Sequence, residues 1–293
     1  MEKILIIGGG EIGQALAHLL IKKEPIVFDK DPTKSNADKP LLVLVAEAEI
    51  IFLALPTRVL LNVLIDIKDQ LNDEKIIITL SKGVDTDGNF SFEIIADLGL
   101  SAKVVALGGP MLAEEILAGQ VAGAVVASED VEARQVVKNL FTESALKTSE
   151  SGDLKGVVLA GVFKNIYTLG LSIGDALVLG DNSRGLLVAS ALAETAELVA
   201  SFGGEASSAY SWAGLGDLVA TSASTHSRNR TVGEQLVKDG KCCVESEGSL
   251  ALPLLWPRLE NKIAGLPFLA GIGEVVINNK NPKNVFEDIF LVL

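Results

Sequence analysis

The first half of the chain alternates short apolar runs with stretches of helical period. Runs at Ile4–Ile7, Ile26–Phe28, Ile50–Leu55, Ile76–Leu80, Val104–Leu107 and Ala124–Ala127 predict strands, with Leu146–Thr148 a further candidate. Between the first two, Ile12, Ala15, Leu16, Leu19 and Leu20 recur at helical spacing, so Ile12–Lys23 predicts a helix with one buried face. Arg58–Leu71 and Val131–Phe141 follow the same period, whereas Leu41–Ala46 is apolar without a clear period and fits strand or helix. This alternation is the pattern of a parallel sheet covered by helices. After about Ser149 the strand-like runs give way to Ala/Leu/Gly/Ser segments of helical spacing: Asp153–Leu179, Ser183–Phe202, Gly216–Ala223 and Thr231–Lys238. The expectation is two tightly joined units, an α/β domain over 1–150 and an all-helical domain over 151–293. Glycines inside these helices each cost ~1 kcal/mol relative to Ala, which close helix packing or ligand approach would offset.

Charge and composition narrow the function classes. Asp and Glu number 38 against 25 Lys and Arg, a net charge of −13 that repels phosphate backbones and argues against nucleic acid as a partner. Hydrophobic residues make up 48%, which excludes a disordered chain. Gly156–Phe163 and Leu186–Ala193 are both bounded by charges, so no run reaches the ~18 apolar residues of a membrane helix and no membrane insertion is expected. The N-terminus runs straight into strand and glycines, unlike a signal peptide, which predicts a cytoplasmic protein. Cys242 and Cys243 are adjacent and make neither a disulfide framework nor a metal site by themselves.

Chemistry enters at Gly8, Gly10 and Gly13, a G-x-G-x-x-G set directly after a strand and opening an amphipathic helix. Such glycines serve a tight turn, backbone approach to a pyrophosphate and close helix–strand packing, with the helix N-terminus facing the phosphates. Asp29 closes the next apolar run, where an acid accepts from ribose hydroxyls. Strand, triplet, helix, strand and acid together predict a dinucleotide site. In the second half, Lys164-Asn165 interrupts an apolar stretch, Asp217 and Thr221 share one helix face, and Ser227-Arg228-Asn229-Arg230 forms a dense donor set. Buried charges are costly unless paired or used, so these are site candidates, although a structural Lys164–Asp217 ion pair accounts for the pattern equally well.

These segments resemble, across nearly the whole chain, the bacterial-type NAD(P)-dependent glycerol-3-phosphate dehydrogenases. The resemblance is carried by Gly8–Gly13, Ser81-Lys82-Gly83, Gly109-Pro110-x-x-Ala113-x-Glu115, Gly161-x-x-Lys164-Asn165 and Gly180-Asp181-Asn182-Ser183-Arg184. Most specific are Ala213-Gly214-Leu215-Gly216-Asp217-Leu218-x-x-Thr221 and Ser227-Arg228-Asn229-Arg230-x-x-Gly233. It implies a Rossmann-type domain followed by a helical domain like that of 6-phosphogluconate dehydrogenases. The implied reaction is reversible reduction of dihydroxyacetone phosphate to sn-glycerol 3-phosphate, and a homodimer is left open. The chain departs from the family at Met111, where Ser or Thr is usual, at Glu11-Ile12, where Ser/Thr-Trp is usual, and in a short Asp31–Pro40 segment.

Roles follow from the resemblance and from what a ketone reduction needs. The only histidines are His18, on the helix after the glycine loop, and His226, peripheral to the arginines, so Lys164 takes the proton-transfer role with Asp217 orienting its ammonium. Lys82 would polarise substrate oxygens, and Arg228 would fork onto the substrate phosphate with Ser227 and Asn229. Gly109, Met111, Asn165 and Thr221 complete the expected substrate site. The expected coenzyme contacts are Gly8, Gly10, Glu11, Ile12, Gly13, Asp29, Lys30, Lys82, Ala113, Arg228, Glu245 and Glu247, with a solvated surface an equal reading for Glu245. Asp29 favours NAD and Lys30 favours NADP; the balance leans to NAD because a carboxylate opposed to a 2′-phosphate costs more than a flexible Lys returns. Two alternatives stand beside this reading. One is a related dehydrogenase of a phosphate- or acid-bearing substrate, against which the Asp217–Arg230 segment argues. The other is a dinucleotide-binding sensor or scaffold without turnover, which would have no need of Lys82, Lys164, Asp217 and Arg228 together.

Overall fold

The computed structural model describes residues 2–225, 227–241 and 243–293. His226 and Cys242 therefore lie outside the described residues. The described residues form one seven-stranded sheet, β1 (Ile4–Ile7), β2 (Ile26–Phe28), β3 (Ile50–Leu53), β4 (Ile76–Thr79), β5 (Lys103–Gly108), β6 (Ala122–Ala127) and β7 (Leu146–Ser151), in the order β2-β1-β3-β4-β5-β6-β7. Strands β1, β3 and β4 are buried along their whole length, as continuous apolar runs should be when both sheet faces are covered. One face packs on the Glu11–Leu19 helix, which buries Gly13, Ala15, Leu16 and Leu19; the other packs on Leu41–Glu47, Thr57–Ile67 and Ser91–Asp97. Because β1 to β5 run parallel, their C-terminal ends deliver Gly8, Leu55–Thr57, Ser81–Gly83 and Gly109 to one edge.

One expectation changes and one open reading is settled. The sheet is not wholly parallel, since β6 runs antiparallel to β5. The connection over 109–121 holds only the five-residue helix Ala113–Leu117 and turns back on the edge it left, with Gly123 N–H donating to Pro110 O at 3.1 Å. The ambiguous Leu41–Ala46 run is a helix, Leu41–Glu47, with only Leu44 and Val45 fully buried.

β7 ends at Ser151, and the Leu154–Ala176 helix begins two residues beyond Gly152. Asp153 caps it, accepting from Gly156 N–H at 2.8 Å, and the same carboxylate accepts from Glu205 N–H and Ser208 Oγ. This helix is the axis of the helical half, buried from Gly156 to Gly174. It corrects the expectation from run length: among the described residues it is long and apolar enough to cross a membrane, but its apolar window is 100% buried inside the protein. The charge of Lys164 does not break the stretch because pairing with Asp217 and Thr221 offsets the cost of its burial. Glycines permit close crossings here: a Cβ at Gly170 would strike Ile272, and one at Gly233 would lie 2.7 Å from the Ser172 backbone. Around the axis lie Asp181–Ser201, Asp217–Ala223, Arg228–Asp239, Glu247–Leu259, Pro267–Val276 and Pro282–Val292.

Candidate active site

At the first βα turn each glycine has a distinct surrounding. Gly8 has φ +107°, a region that disfavours side chains, and a Cβ there would strike the Ala54 carbonyl. A Cβ at Gly13 would strike Gly8 O, so the helix packs directly on the turn. Gly10 faces open space and sits at the N-cap, leaving the first N–H groups of the helix available. This cradle fits a dinucleotide pyrophosphate. Glu11 is exposed at the first helical position and Ile12 half-packs against the core. Asp29 just after β2 is held by main-chain donors, accepting from Gly9 N–H at 2.7 Å and Asp31 N–H at 2.9 Å. Lys30 is exposed.

Where β4 ends at the same sheet edge, two cations share one carboxylate. Lys82 Nζ donates to Asp217 Oδ2 at 2.7 Å and to Gly109 O at 2.9 Å. Lys164 Nζ lies 3.1 Å from the same Asp217 oxygen and donates to Thr221 Oγ1 at 2.7 Å, while Thr221 donates to Asp217 Oδ1 at 3.1 Å. Asp217 follows a π-helical turn over Trp212–Gly216 that continues without a break into the Asp217–Ala223 helix, so it stands one turn inside a helical segment capped by Ser211. Asn165 Nδ2 donates to Lys82 O at 3.1 Å, tying the helical axis to the end of β4. Side-chain exposure falls from 23% for Lys82 to 5% for Lys164 and 1% for Asp217, so the group opens to solvent on the Lys82 side.

Electrostatics follow from that burial. Desolvation lowers the Lys164 ammonium to a pKa of about 8, with Asp217 pulling it back up and Lys82 pushing it further down. Burial alone would raise the Asp217 carboxyl, but Lys164 and Lys82 overcome it and hold it below its ordinary value. Desolvation raises the Glu247 carboxyl against the pull of Lys164, Lys82, Arg58 and Arg228. A lysine near neutrality beside a fixed carboxylate and a hydroxyl can hold or give up a proton in either direction.

Glu247 opens the Glu247–Leu259 helix, and its Oε2 is 2.9 Å from where a Gly83 Cβ would lie. Next to it, Ser227 Oγ and Asn229 Oδ1 are buried without a hydrogen-bond partner among the described residues. Buried polar atoms are seldom left unpaired, so these two suit a ligand. Arg228, exposed at the start of its helix, stands beside them. The structure thus brings together Lys82, Gly109, Lys164, Asn165, Asp217, Thr221, Ser227, Arg228, Asn229 and Glu247. Met111 and Ala113 instead turn their side chains into the apolar core under the sheet, and Glu245 is exposed. His18 is exposed and lines a separate cavity of about 440 Å³ with Lys22 and Glu143. Arg58, missed in the sequence, follows β3 at the ligand edge; the signal was its place directly after Leu55-Pro56-Thr57. Thr57 Oγ1 lies 3.5 Å from the same Gly83 Cβ position.

The chain also matches known proteins over most of its length. Residues 30–134 match the family model for the N-terminus of NAD-dependent glycerol-3-phosphate dehydrogenase, and residues 153–287 match that for its C-terminus. The chain is 30% identical to glycerol-3-phosphate dehydrogenase [NAD(P)+] of Halothermothrix orenii, over 99% of this chain and 95% of that one. It is 32% identical to the Clostridium perfringens protein of the same name, over 84% of this chain and 82% of that one. Among solved structures, glycerol-3-phosphate dehydrogenase of Coxiella burnetii superposes with a TM-score of 0.86 at 23% identity, covering 99% and 98% of the two chains.

Proposed function

From the premise that the chain belongs to the NAD-dependent glycerol-3-phosphate dehydrogenase family, we propose that it interconverts dihydroxyacetone phosphate and sn-glycerol 3-phosphate with NAD(P)H. The observation that carries this reading is the Lys82–Asp217–Lys164–Thr221 cluster at the sheet edge, beside the unpaired Ser227 and Asn229. The glycine loop of 8–13, Asp29, Lys30 and the exposed face of Glu247 would hold the coenzyme, whose nicotinamide supplies or accepts a hydride when bound. The units 1–150 and 151–293 divide the work, the first binding the dinucleotide and the second most of the substrate.

On this reading Lys164 gives a proton to the substrate's carbonyl oxygen during reduction and takes it back during oxidation. Asp217 orients that ammonium and stabilises its charged form, and Lys82 stabilises negative charge growing on the same oxygen. Arg228 and Ser227 bind the phosphate, with Asn229 donating through Nδ2 while its Oδ1, unpaired among the described residues, accepts from a bound hydroxyl or amide. Binding energy remote from the reacting carbon thus serves to position it. Asn165 donates to a hydroxyl through its second Nδ2 hydrogen, and Thr221 Oγ1, whose own proton goes to Asp217, accepts from one. The same reading has the chain acting in the cytoplasm on a diffusible substrate, without nucleic acid or membrane insertion.

NAD is the preferred coenzyme on this account. Both Asp29 oxygens are held by main-chain N–H groups, so the carboxylate is not free to swing aside for a 2′-phosphate. The experiment is to follow NADH absorbance with dihydroxyacetone phosphate, and to repeat it with NADPH. Turnover with a higher kcat/KM for NADH supports the reading; no substrate-dependent loss of NADH would leave a binding protein, and a higher kcat/KM for NADPH would reverse the coenzyme preference.

A further inference from the structure

The segment carrying Lys82 continues into a small hairpin. Val84 and Phe90 form an antiparallel bridge, and Asp85 Oδ1 accepts from the N–H groups of Asp87 at 2.9 Å and Asn89 at 2.8 Å. Its tip is gripped from the helical half by one side chain. Arg258 donates to Gly88 O at 2.7 Å and forks onto Glu93 at 2.8 and 2.7 Å. Its guanidinium also lies 5.0 Å from the Phe90 ring centre and 5.1 Å from that of Phe202. Glu93 is itself fixed, accepting from Phe90 N–H at 2.9 Å at the start of the Ser91–Asp97 helix.

Arg258 shares a helix with Glu247. Eleven residues at 1.5 Å each put the two about 16 Å apart along the axis. One end of this helix therefore meets Gly83 through Glu247, and the other meets the hairpin that Gly83 leads into. The path from Lys82 through the hairpin, Arg258 and Glu247 returns to Gly83 and closes a ring of contacts across the seam. Bidentate Arg–carboxylate pairs with stacked rings are stiff joints, unlike single surface ion pairs.

We propose that Arg258 is a positioning residue for the reaction: by clamping Gly88, Glu93 and the Phe90–Phe202 pair, it fixes where Lys82 stands relative to Asp217 and Lys164. This rests on the functional reading above for its kinetic consequences but not for its structural ones. Misplacing a reacting group by about 1 Å costs on the order of 100-fold in rate. Loosening the hairpin also moves Lys82 away from Lys164, whose charged neighbours are Asp217, Lys82 and Glu247.

The test uses the full-length chain with Arg258→Met, Arg258→Lys and Glu93→Gln, at a temperature where all are folded by circular dichroism. For Arg258→Met the expected result is a kcat/KM for dihydroxyacetone phosphate reduced about 10- to 100-fold. The ζ-nitrogen NMR titration of Lys164 in coenzyme-free protein should also shift to a higher midpoint. Arg258→Lys, which keeps a cation over the rings but loses the fork, should recover part of both. Glu93→Gln keeps the packing and should move both readouts in the same direction by less, which preserves the test if Arg258→Met does not fold. A lowered melting temperature with kcat/KM and the Lys164 midpoint unchanged would overturn the proposal and leave Arg258 purely structural. If the unsubstituted protein shows no turnover of dihydroxyacetone phosphate, the functional reading fails on its own, and the Lys164 titration still decides the role of Arg258.

Discussion

Two buried carboxylates lie in or beside the helical half, and their surroundings are opposites. Glu194 accepts from Phe268 N–H, Leu269 N–H and Tyr167 Oη, each at 2.8 Å, and so caps the Pro267–Val276 helix with neutral donors. Asp217 is gripped by two ammonium groups and a hydroxyl. Desolvation raises the Glu194 carboxyl despite its donors, whereas Asp217 is held down by Lys164 and Lys82. Tyr167 is pushed well above its ordinary value by burial and by Glu194, so it stays a donor. The dipole-satisfied site has nothing left to give. The charge-satisfied site has a cation in excess of its carboxylate, and one of those cations titrates near neutrality. The contrast is one of balance: neutral donors satisfy Glu194, whereas the group around Asp217 carries more cations than carboxylates and opens to solvent at Lys82.

Substitutions can break that contrast. The largest effect is expected at Lys164→Ala, a loss of turnover of about 100- to 10,000-fold with NADH binding retained, measured by stopped-flow kinetics beside fluorescence titration. Near-normal turnover would move the proton-transfer role to Lys82. Next, Arg228→Ala should lose about 100-fold in kcat/KM for dihydroxyacetone phosphate, because hydrogen bonds to charged groups contribute ~1.5–3 kcal/mol each. Arg228→Lys should recover little of it, and a large fall in melting temperature with the phosphate preference unchanged would remove Arg228 from the site.

At the other carboxylate the readouts should exchange. Glu194→Ala leaves Phe268 N–H, Leu269 N–H and Tyr167 Oη unpaired, so denaturant melts should fall by on the order of 3 kcal/mol while kcat at low temperature holds. A selective loss of kcat would mean that Glu194 reaches the site. The smallest expected effect is a displaced pH limb. Reduction requires protonated Lys164 and should decline as pH rises through about 8, while oxidation of glycerol 3-phosphate rises over the same range. Lys82 opposes the charge on Lys164, so Lys82→Gln should carry that limb to higher pH; a downward move would show that Lys82 acts on Lys164 through Asp217 instead.

What the sequence disclosed was chiefly local. β1, the glycine turn and the helix after it are spelled out by neighbouring residues, and Ile4–Ile7 and Ile26–Phe28 form with the bounds expected. The residue pattern alone fits Lys164 and Asp217 equally well as a site and as a structural ion pair. Thr221 stands out only by sharing a helix face with Asp217, and it is the resemblance that tips the reading towards a site. Strand direction was not legible, since nothing within Ala122–Ala127 specifies that β6 opposes β5; the short connection before it does. The Glu247–Leu259 helix escaped notice because Pro253 and Pro257 lie inside it, and prolines normally end helices. Glu194 looked like any charge on a helix face. Its partners lie in distant parts of the chain, as do Lys82 and Asp217, which the fold alone brings to 2.7 Å.

The staple between Asp29 and the glycine turn bears on any attempt to retarget the coenzyme. Replacing an acid after the second strand with a small or basic residue is the obvious redesign for accepting a 2′-phosphate. Here that exchange would also remove the acceptors for Gly9 N–H and Asp31 N–H. The turn over Pro32–Lys34 lies directly on Gly9, and Gln14 Nε2 bridges Gly9 O and Lys34 O, so the second strand's exit and the phosphate cradle form one unit. A successful redesign must therefore supply new acceptors for those two amides at the same time as it changes the charge, and single substitutions at Asp29 should trade selectivity for loss of both coenzymes.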